Sequence, residues 1–248
     1  MTKLSVNLNK VALVRNSRDG ETPSLLEAAR IAVEAGCSGL TLHPRADARH
    51  ATLDDVLTLA RYEPVASGRI ELNIEGDARD ELLAVVTQAG ATQFTLVPVT
   101  PGERTSHRGW SREDGVDTVR RVIARLAPRT RVSLFIEAAS EAVELAAEAG
   151  VAAVEVYTGP WAEAYGTEAA DRLLDEIQAT AEVARGHGLR VHAGHDLNLE
   201  NLGALVSRIH PDEVSIGHAL ISEALLAGLK GITAAYGQIL GRDVPDFE

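Results

Sequence analysis

The chain has 248 residues, 45% of them apolar and 24% charged, which is enough to bury one substantial core. Its formal charge of -12 argues against broad nucleic-acid binding, which needs a basic face to displace counterions from phosphates. Cys37 is the single cysteine, so an intramolecular disulfide and a thiolate metal cluster within one chain are excluded, and a reducing compartment fits.

From the N-terminus, Asn7, Asn9, Lys10 and Arg15 break up any apolar stretch long enough for a signal peptide. No apolar run of about 18 residues follows, so a cytoplasmic protein without membrane association is expected. Short β-branched or alternating runs then recur, each followed by an Ala/Leu/Glu-rich stretch with helical spacing. Strands are predicted at 4–8 (LSVNL), 38–43 (SGLTLH), 70–75 (IELNIE), 92–97 (TQFTLV), 131–136 (RVSLFI), 152–157 (AAVEVY), 190–194 (RVHAG) and 213–217 (EVSIG). Helices are predicted near 23–36, 53–62, 78–89, 115–127, 140–149, 164–187, 199–208 and 219–240, with Gly36, Gly90, Gly150 and Gly188 as C-terminal stops.

Successive βα units with no linker or charge block between them predict the α/β class and a single-domain (β/α)8 TIM barrel over residues 1–248. A doubly wound open sheet is the architectural alternative. The longest irregular stretch, 98–113 (PVTPGERTSHRGWSRE), follows the fourth strand and reads as a candidate active-site lid or, more plainly, as a surface insertion.

Barrel sites are built at the C-terminal ends of the strands, so polar residues near those ends are the informative ones. Strand 1 runs into Asn7, Asn9 and Lys10, and strand 2 into His43, Arg45, Asp47, Arg49 and His50. Strand 3 carries Asn73 and Glu75, strand 6 Glu155 and Tyr157, strand 7 leads to His195 and Asp196, and strand 8 to Gly217 and His218. Singly, each could be a satisfied barrel residue or a helix cap. Together, Glu75, Glu155, His43 and His195 suit a reaction with repeated proton transfers, and no single nucleophile stands out.

The segment HPRADARH at 43–50 offers guanidinium groups that can grip a phosphate, and SIGHA at 215–219 places Gly217 and His218 where a helix N-terminus favours an anion. Zinc is the competing chemistry for His43, His50, His192, His195 and His218. No helical His pair with a Glu marks a metal site, and neighbouring Arg residues would oppose a cation, so no metal is expected. Glu137 and His192 are assigned a supporting role.

The stretches SVNLNKVALVRNSR at 5–18, LTLHPRADARH at 40–50, NIEG at 73–76, VSLFIEA at 132–138, VEVYTGPWA at 154–162, AGHDL at 193–197 and SIGHAL at 215–220 resemble, in order and spacing, the pyridoxine 5'-phosphate synthase family. The resemblance covers nearly the whole chain. It implies condensation of 1-deoxy-D-xylulose 5-phosphate with 3-amino-2-oxopropyl phosphate to pyridoxine 5'-phosphate, phosphate and water, with no metal or redox cofactor, in a homo-oligomer, as an octamer. It implies His43 and Glu75 as proton acceptors, His195 as proton donor and Glu155 as a transition-state stabiliser. Asn7, Arg18, Asp196, Gly217 and His218 match positions that hold the aminoketone phosphate; Asn9, Lys10, Arg45, His50 and Thr105 match those that hold the deoxyxylulose phosphate. The commoner family pattern has Asp and His where this chain has Asn9 and Lys10, and Gly where it has Asp196. A non-catalytic metabolite-binding barrel and a phosphosugar lyase or isomerase with the same acid/base set are the competing functions.

Overall fold

The computed structural model describes residues 1–99, 107–126 and 128–241. Eight strands, β1 (Lys3–Asn7), β2 (Gly39–Leu42), β3 (Glu71–Gly76), β4 (Gln93–Leu96), β5 (Arg131–Ile136), β6 (Ala153–Tyr157), β7 (Arg190–Gly194) and β8 (Glu213–Ile216), pair in parallel in chain order. β8 closes on β1, with Lys3 opposite Glu213 and Val6 opposite Ile216. The sheet is therefore a closed barrel, and the open-sheet alternative falls.

Alternation within the strands decides which way each side chain faces. Leu4 and Val6, Leu40 and Leu42, Leu72 and Ile74, Phe94 and Leu96, Val132 and Leu134, Val154 and Val156, and Val214 and Ile216 are buried in the apolar layer beneath the helices. The intervening residues face the barrel axis, and most are polar. Ser5 Oγ lies 2.7 Å from Thr41 Oγ1, Asn73 donates to Thr41 Oγ1 at 3.4 Å, and the Thr95 hydroxyl donates to Asn73 Oδ1 at 3.1 Å. Buried hydroxyls and amides would be costly unpaired, so this lateral chain from β1 to β4 is what lets a barrel interior be polar.

Helices α1 (Asn9–Arg15), α2 (Leu25–Glu34), α3 (Leu53–Ala60), α4 (Glu63–Ala66), α5 (Asp80–Ala89), α6 (Val116–Leu126), α7 (Ser140–Ala149), α8 (Gly159–Ala164), α9 (Glu168–Gly186), α10 (Leu202–Ile209), α11 (His218–Ala227) and α12 (Leu229–Ile239) surround the strands. Gly90 and Gly150 end α5 and α7 in the left-handed region, at φ 61° and 86°, where a Cβ would be strained. The expected helix 219–240 is two helices, because the chain turns through Gly228 at φ 88°. Three short helices had no counterpart in the expected elements: α1, α4 and α8. Leu8, the N-cap of α1, makes no side-chain cap bond, so the usual start signal is missing from the sequence.

The stretch 98–113 is only partly described. Beyond residue 106, Trp110 N–H donates to Phe135 O at 2.7 Å and Arg108 makes a two-bonded pair with Asp114, at 2.6 and 2.7 Å. That part is fastened to the C-terminal end of β5.

Candidate active site

A cavity of about 280 Å³ opens at the C-terminal ends of the strands. Asn7, Asn9, Lys10, His43, Arg45, His50, Glu75, Glu155, His195, Asp196, Gly217 and His218 all line it. Residues more than 200 positions apart in sequence, such as Asn7 and His218, meet there because β8 is the neighbour of β1. Arg18 is exposed and does not line the cavity of its own chain. Thr105 lies outside the described residues.

Glu75 and Glu155 project inward from β3 and β6. Asn7 Nδ2 donates to both Glu75 oxygens, at 3.5 and 3.3 Å, and His43 Nδ1 is 3.8 Å from Glu75 Oε2. Burial pushes Glu75 up to about 7 against the opposing Asn7 bond, and burial together with the Glu75 charge pushes Glu155 to about 8. Burial, then the charges of His50, Arg45 and Arg79, lowers His43 to about 3, so its imidazole is neutral. Burial and the Arg45 and Lys10 charges lower His50 to about 4. His195 is lowered chiefly by burial, with Asp196 opposing. The site thus holds neutral imidazoles beside carboxyls that titrate near neutrality, an arrangement able to pass protons in either direction.

His195 and Asp196 both have positive φ, 87° and 57°. Consecutive non-glycine residues in this region cost about 1–3 kcal/mol each and persist only when neighbours over-determine them. Here Thr158 Oγ1 donates to Gly194 O and His195 O at 2.7 and 2.6 Å, and Asn201 Nδ2 donates to Asp196 O at 3.1 Å. A left-handed φ favours glycine at position 196, and Asp is among the residues that tolerate it. The His195 ring is held between Tyr157, edge-on at 5.1 Å, and Phe135 at 5.9 Å.

After the neighbouring strand β8, α11 (N-cap Gly217) starts with no side-chain cap, at residues that line the cavity, where its first N–H groups favour an anion. Thr158, Asn201, Phe135 and Ser215 were missed in the sequence. Only a polar residue directly after strand 6 hinted at Thr158. His192, by contrast, sits at the barrel floor rather than at the mouth, its Nδ1 3.4 Å from Gln93 Nε2, and burial lowers it to about 4. Glu137 is exposed and borders a side cleft with Tyr157.

Among the described residues no group of three His, Cys, Asp or Glu side chains could hold a metal ion. Among the described residues no helix is long and apolar enough to cross a membrane.

The likeness of the barrel to solved structures is broad. Phosphoribosyl anthranilate isomerase from Thermotoga maritima superposes with a TM-score of 0.61 over 97% of this chain and 100% of its own, at 13% identity, which speaks to the fold alone. Sequence relatives are far more specific. Pyridoxine 5'-phosphate synthase of Albidiferax ferrireducens is 43% identical over 242 residues, covering 95% of this chain and 96% of its own. That of Bacteroides thetaiotaomicron is 41% identical over 242 residues, covering 97% and 100%. The profile of the family described as "Pyridoxal phosphate biosynthesis protein PdxJ" matches residues 4–242, all of the barrel's strands but the first residue of β1. A match of that extent, carried by the same segments that build the cavity, means that the chain belongs to the PdxJ family of pyridoxal phosphate biosynthesis proteins.

Proposed function

We propose that the chain is a pyridoxine 5'-phosphate synthase, condensing 1-deoxy-D-xylulose 5-phosphate with 3-amino-2-oxopropyl phosphate to form pyridoxine 5'-phosphate in vitamin B6 biosynthesis. The observation that carries this reading is the convergence of His43, Glu75, Glu155 and His195 on one cavity with anion-binding groups on two rims. Imine formation, phosphate elimination and aromatising closure each move protons, and four acid/base groups around one space can serve them in turn. A purely binding barrel has no use for all four. Incubating the purified protein with both substrates should give the fluorescent pyridine product. Its absence, with either substrate turned over alone, would favour a lyase or isomerase.

In this assignment neutral His43 and ionised Glu75 accept protons, protonated Glu155 donates a hydrogen bond to developing negative charge, and His195 donates a proton. An arriving phosphate dianion would draw the His195 pKa upward, opposing the effect of burial. Asn7, Asp196, Gly217 and His218 surround the aminoketone phosphate; Asn9, Lys10, Arg45 and His50 surround the deoxyxylulose phosphate. Arg18 and Thr105 were assigned to the same two groups. Segment 98–113 is proposed as the cover that excludes water. The apolar side chains Leu13 and Val14 on α1 and Leu225 and Leu226 on α11, all exposed, support assembly into a homo-oligomer.

The pH profile of kcat is expected to be bell-shaped. Glu75 must lose its proton to act as a base, so the rate rises through about 7; Glu155 must keep its own, so the rate falls above about 8. Glu155→Gln should abolish the alkaline limb and spare the acid one. A flat profile across both limbs would dismiss these roles.

Lys10 lies at the cavity wall, close enough to lower both His50 and His195 by its charge. Lys10→Ala is expected to weaken apparent affinity for the deoxyxylulose phosphate by about 1.5–3 kcal/mol, the range for a hydrogen bond to a charged group. The aminoketone phosphate should be affected much less. Equal effects on both KM values would rule out the contact. Prolonged chelation is expected to leave turnover unchanged, since the described residues offer no three-ligand cluster; a loss restored by zinc or magnesium would overturn that expectation.

A further inference from the structure

Helix α1 is fastened at its start to the connection between β2 and α3 and at its end to the first turn of α3. At its start, Asn9 Oδ1 accepts the His43 backbone N–H at 2.8 Å, and the Asn9 N–H donates to Asn7 Oδ1 at 3.0 Å. At its end, the Arg15 guanidinium donates two parallel bonds to the Asp55 carboxylate, 2.6 Å from Nη1 and 2.9 Å from Nη2. The two side chains are only 15% and 12% exposed, so this pair is shielded from the screening that makes most surface ion pairs worth little. Asp55 also accepts from the Thr52 N–H at 2.8 Å and hydroxyl at 2.9 Å, completing the capping box that starts α3. Just beyond α1, the Asn16 amide donates to the carbonyls of Ala48, Arg49 and His50, at 3.4, 3.2 and 2.8 Å.

Arg15, Asn16 and Asp55 do not line the cavity, yet the chain between their attachments carries Arg45 and His50, which do. That chain includes Ala48 at φ 50°, a left-handed conformation that contacts must impose on a residue with a Cβ. Lys10 rides on α1 itself. The His43 and His50 rings stand 6.0 Å apart, with His43 Nε2 and His50 Nδ1 buried and making no hydrogen bond among the described residues.

We propose that Arg15, Asp55 and Asn16 are positioning residues for one substrate: they lock α1 and the β2–α3 connection into a single rigid unit, so that Lys10, Arg45 and His50 converge on the phosphorylated ketose. The proposal rests on the substrate reading above. A bidentate guanidinium–carboxylate pair fixes orientation as well as distance, which a lone ammonium cannot do. The cavity-lining groups assigned to the aminoketone phosphate lie on β1 and directly after β7 and β8, and Arg15 bonds none of them; Arg18, just past α1, does not line the cavity. The latch therefore acts selectively, on one KM.

Steady-state kinetics with each substrate varied in turn, thermal unfolding, and calorimetric titration with 1-deoxy-D-xylulose 5-phosphate alone test it. Arg15→Met is expected to raise the ketose KM by about 10- to 100-fold, the cost of a small misplacement of a binding group. The aminoketone KM and kcat should stay within about threefold. Arg15→Lys should recover part of the loss, and Asn16→Ala should show a smaller rise of the same selectivity. A folded Arg15→Met with unchanged ketose affinity, both KM values rising together, or a fall in kcat alone would overturn the proposal. If Arg15→Met does not fold, Asn16→Ala, which removes only exposed hydrogen bonds, decides by the same criterion. A wild type that turns over both substrates while the variants lose no selectivity sinks the latch alone. A wild type that binds neither substrate sinks the substrate reading and the latch with it.

Discussion

Replacing Glu75 with Gln is expected to lower kcat by about 10²–10⁴-fold while leaving the fold intact. The amide has the shape of the carboxylate and can still meet Asn7, but it cannot take a proton. Its neighbours make the loss specific. Burial has already pushed Glu75 to about 7, so in the native site a neutral side chain at this position is a normal occupant and the substitution adds no buried charge. Stability should therefore change little or rise slightly, because the cost of burying an ionised carboxylate disappears. Circular dichroism and thermal unfolding would report the fold, and single-turnover kinetics the chemistry. Near wild-type turnover in a folded Glu75→Gln protein would remove Glu75 from the mechanism.

Gly194→Ala is expected to be nearly as damaging, by about 10²-fold in kcat, although it alters no acid or base. A Cβ built at Gly194 would overlap Glu155 Oε1, with Ser215 O 3.5 Å away on the other side. Gly194 also supplies the carbonyl that accepts from both the Thr158 hydroxyl and its N–H, at 2.7 and 2.9 Å, so the backbone cannot retreat without loosening His195. The added methyl must displace the Glu155 carboxyl from the buried position, near the Glu75 charge, that raises its pKa. The variant should show both a lower rate and a displaced alkaline limb. A protein with wild-type rate and pH profile would mean that Glu155 can shift at no cost, which would exclude it as a positioned group.

The order of the elements, the βα alternation and the residues at the strand ends could all be read from the chain, because each rests on local periodicity. Strands such as IELNIE and AAVEVY show inward polar residues alternating with outward apolar ones. Position at or just past the C-terminal ends of the strands put His43, Glu75, Glu155 and His195 on one list. Resemblance to a family then supplied their chemistry.

What periodicity could not reach was the depth of each polar residue and the identity of its partners. His192 reads as a residue at a strand end, yet closure and register place it opposite Glu213 at the floor. Arg15 and Asp55 are separated by 40 residues, and Thr158 and His195 by 37, so nothing local marks either pair. Helix α1 carries no side-chain cap, and its ends are held instead by contacts from the β2–α3 connection and the first turn of α3. A local pattern reports the face a residue occupies, since that follows from backbone geometry. It does not report who stands across the barrel, because that is settled only when β8 meets β1 and eight strands take one common register.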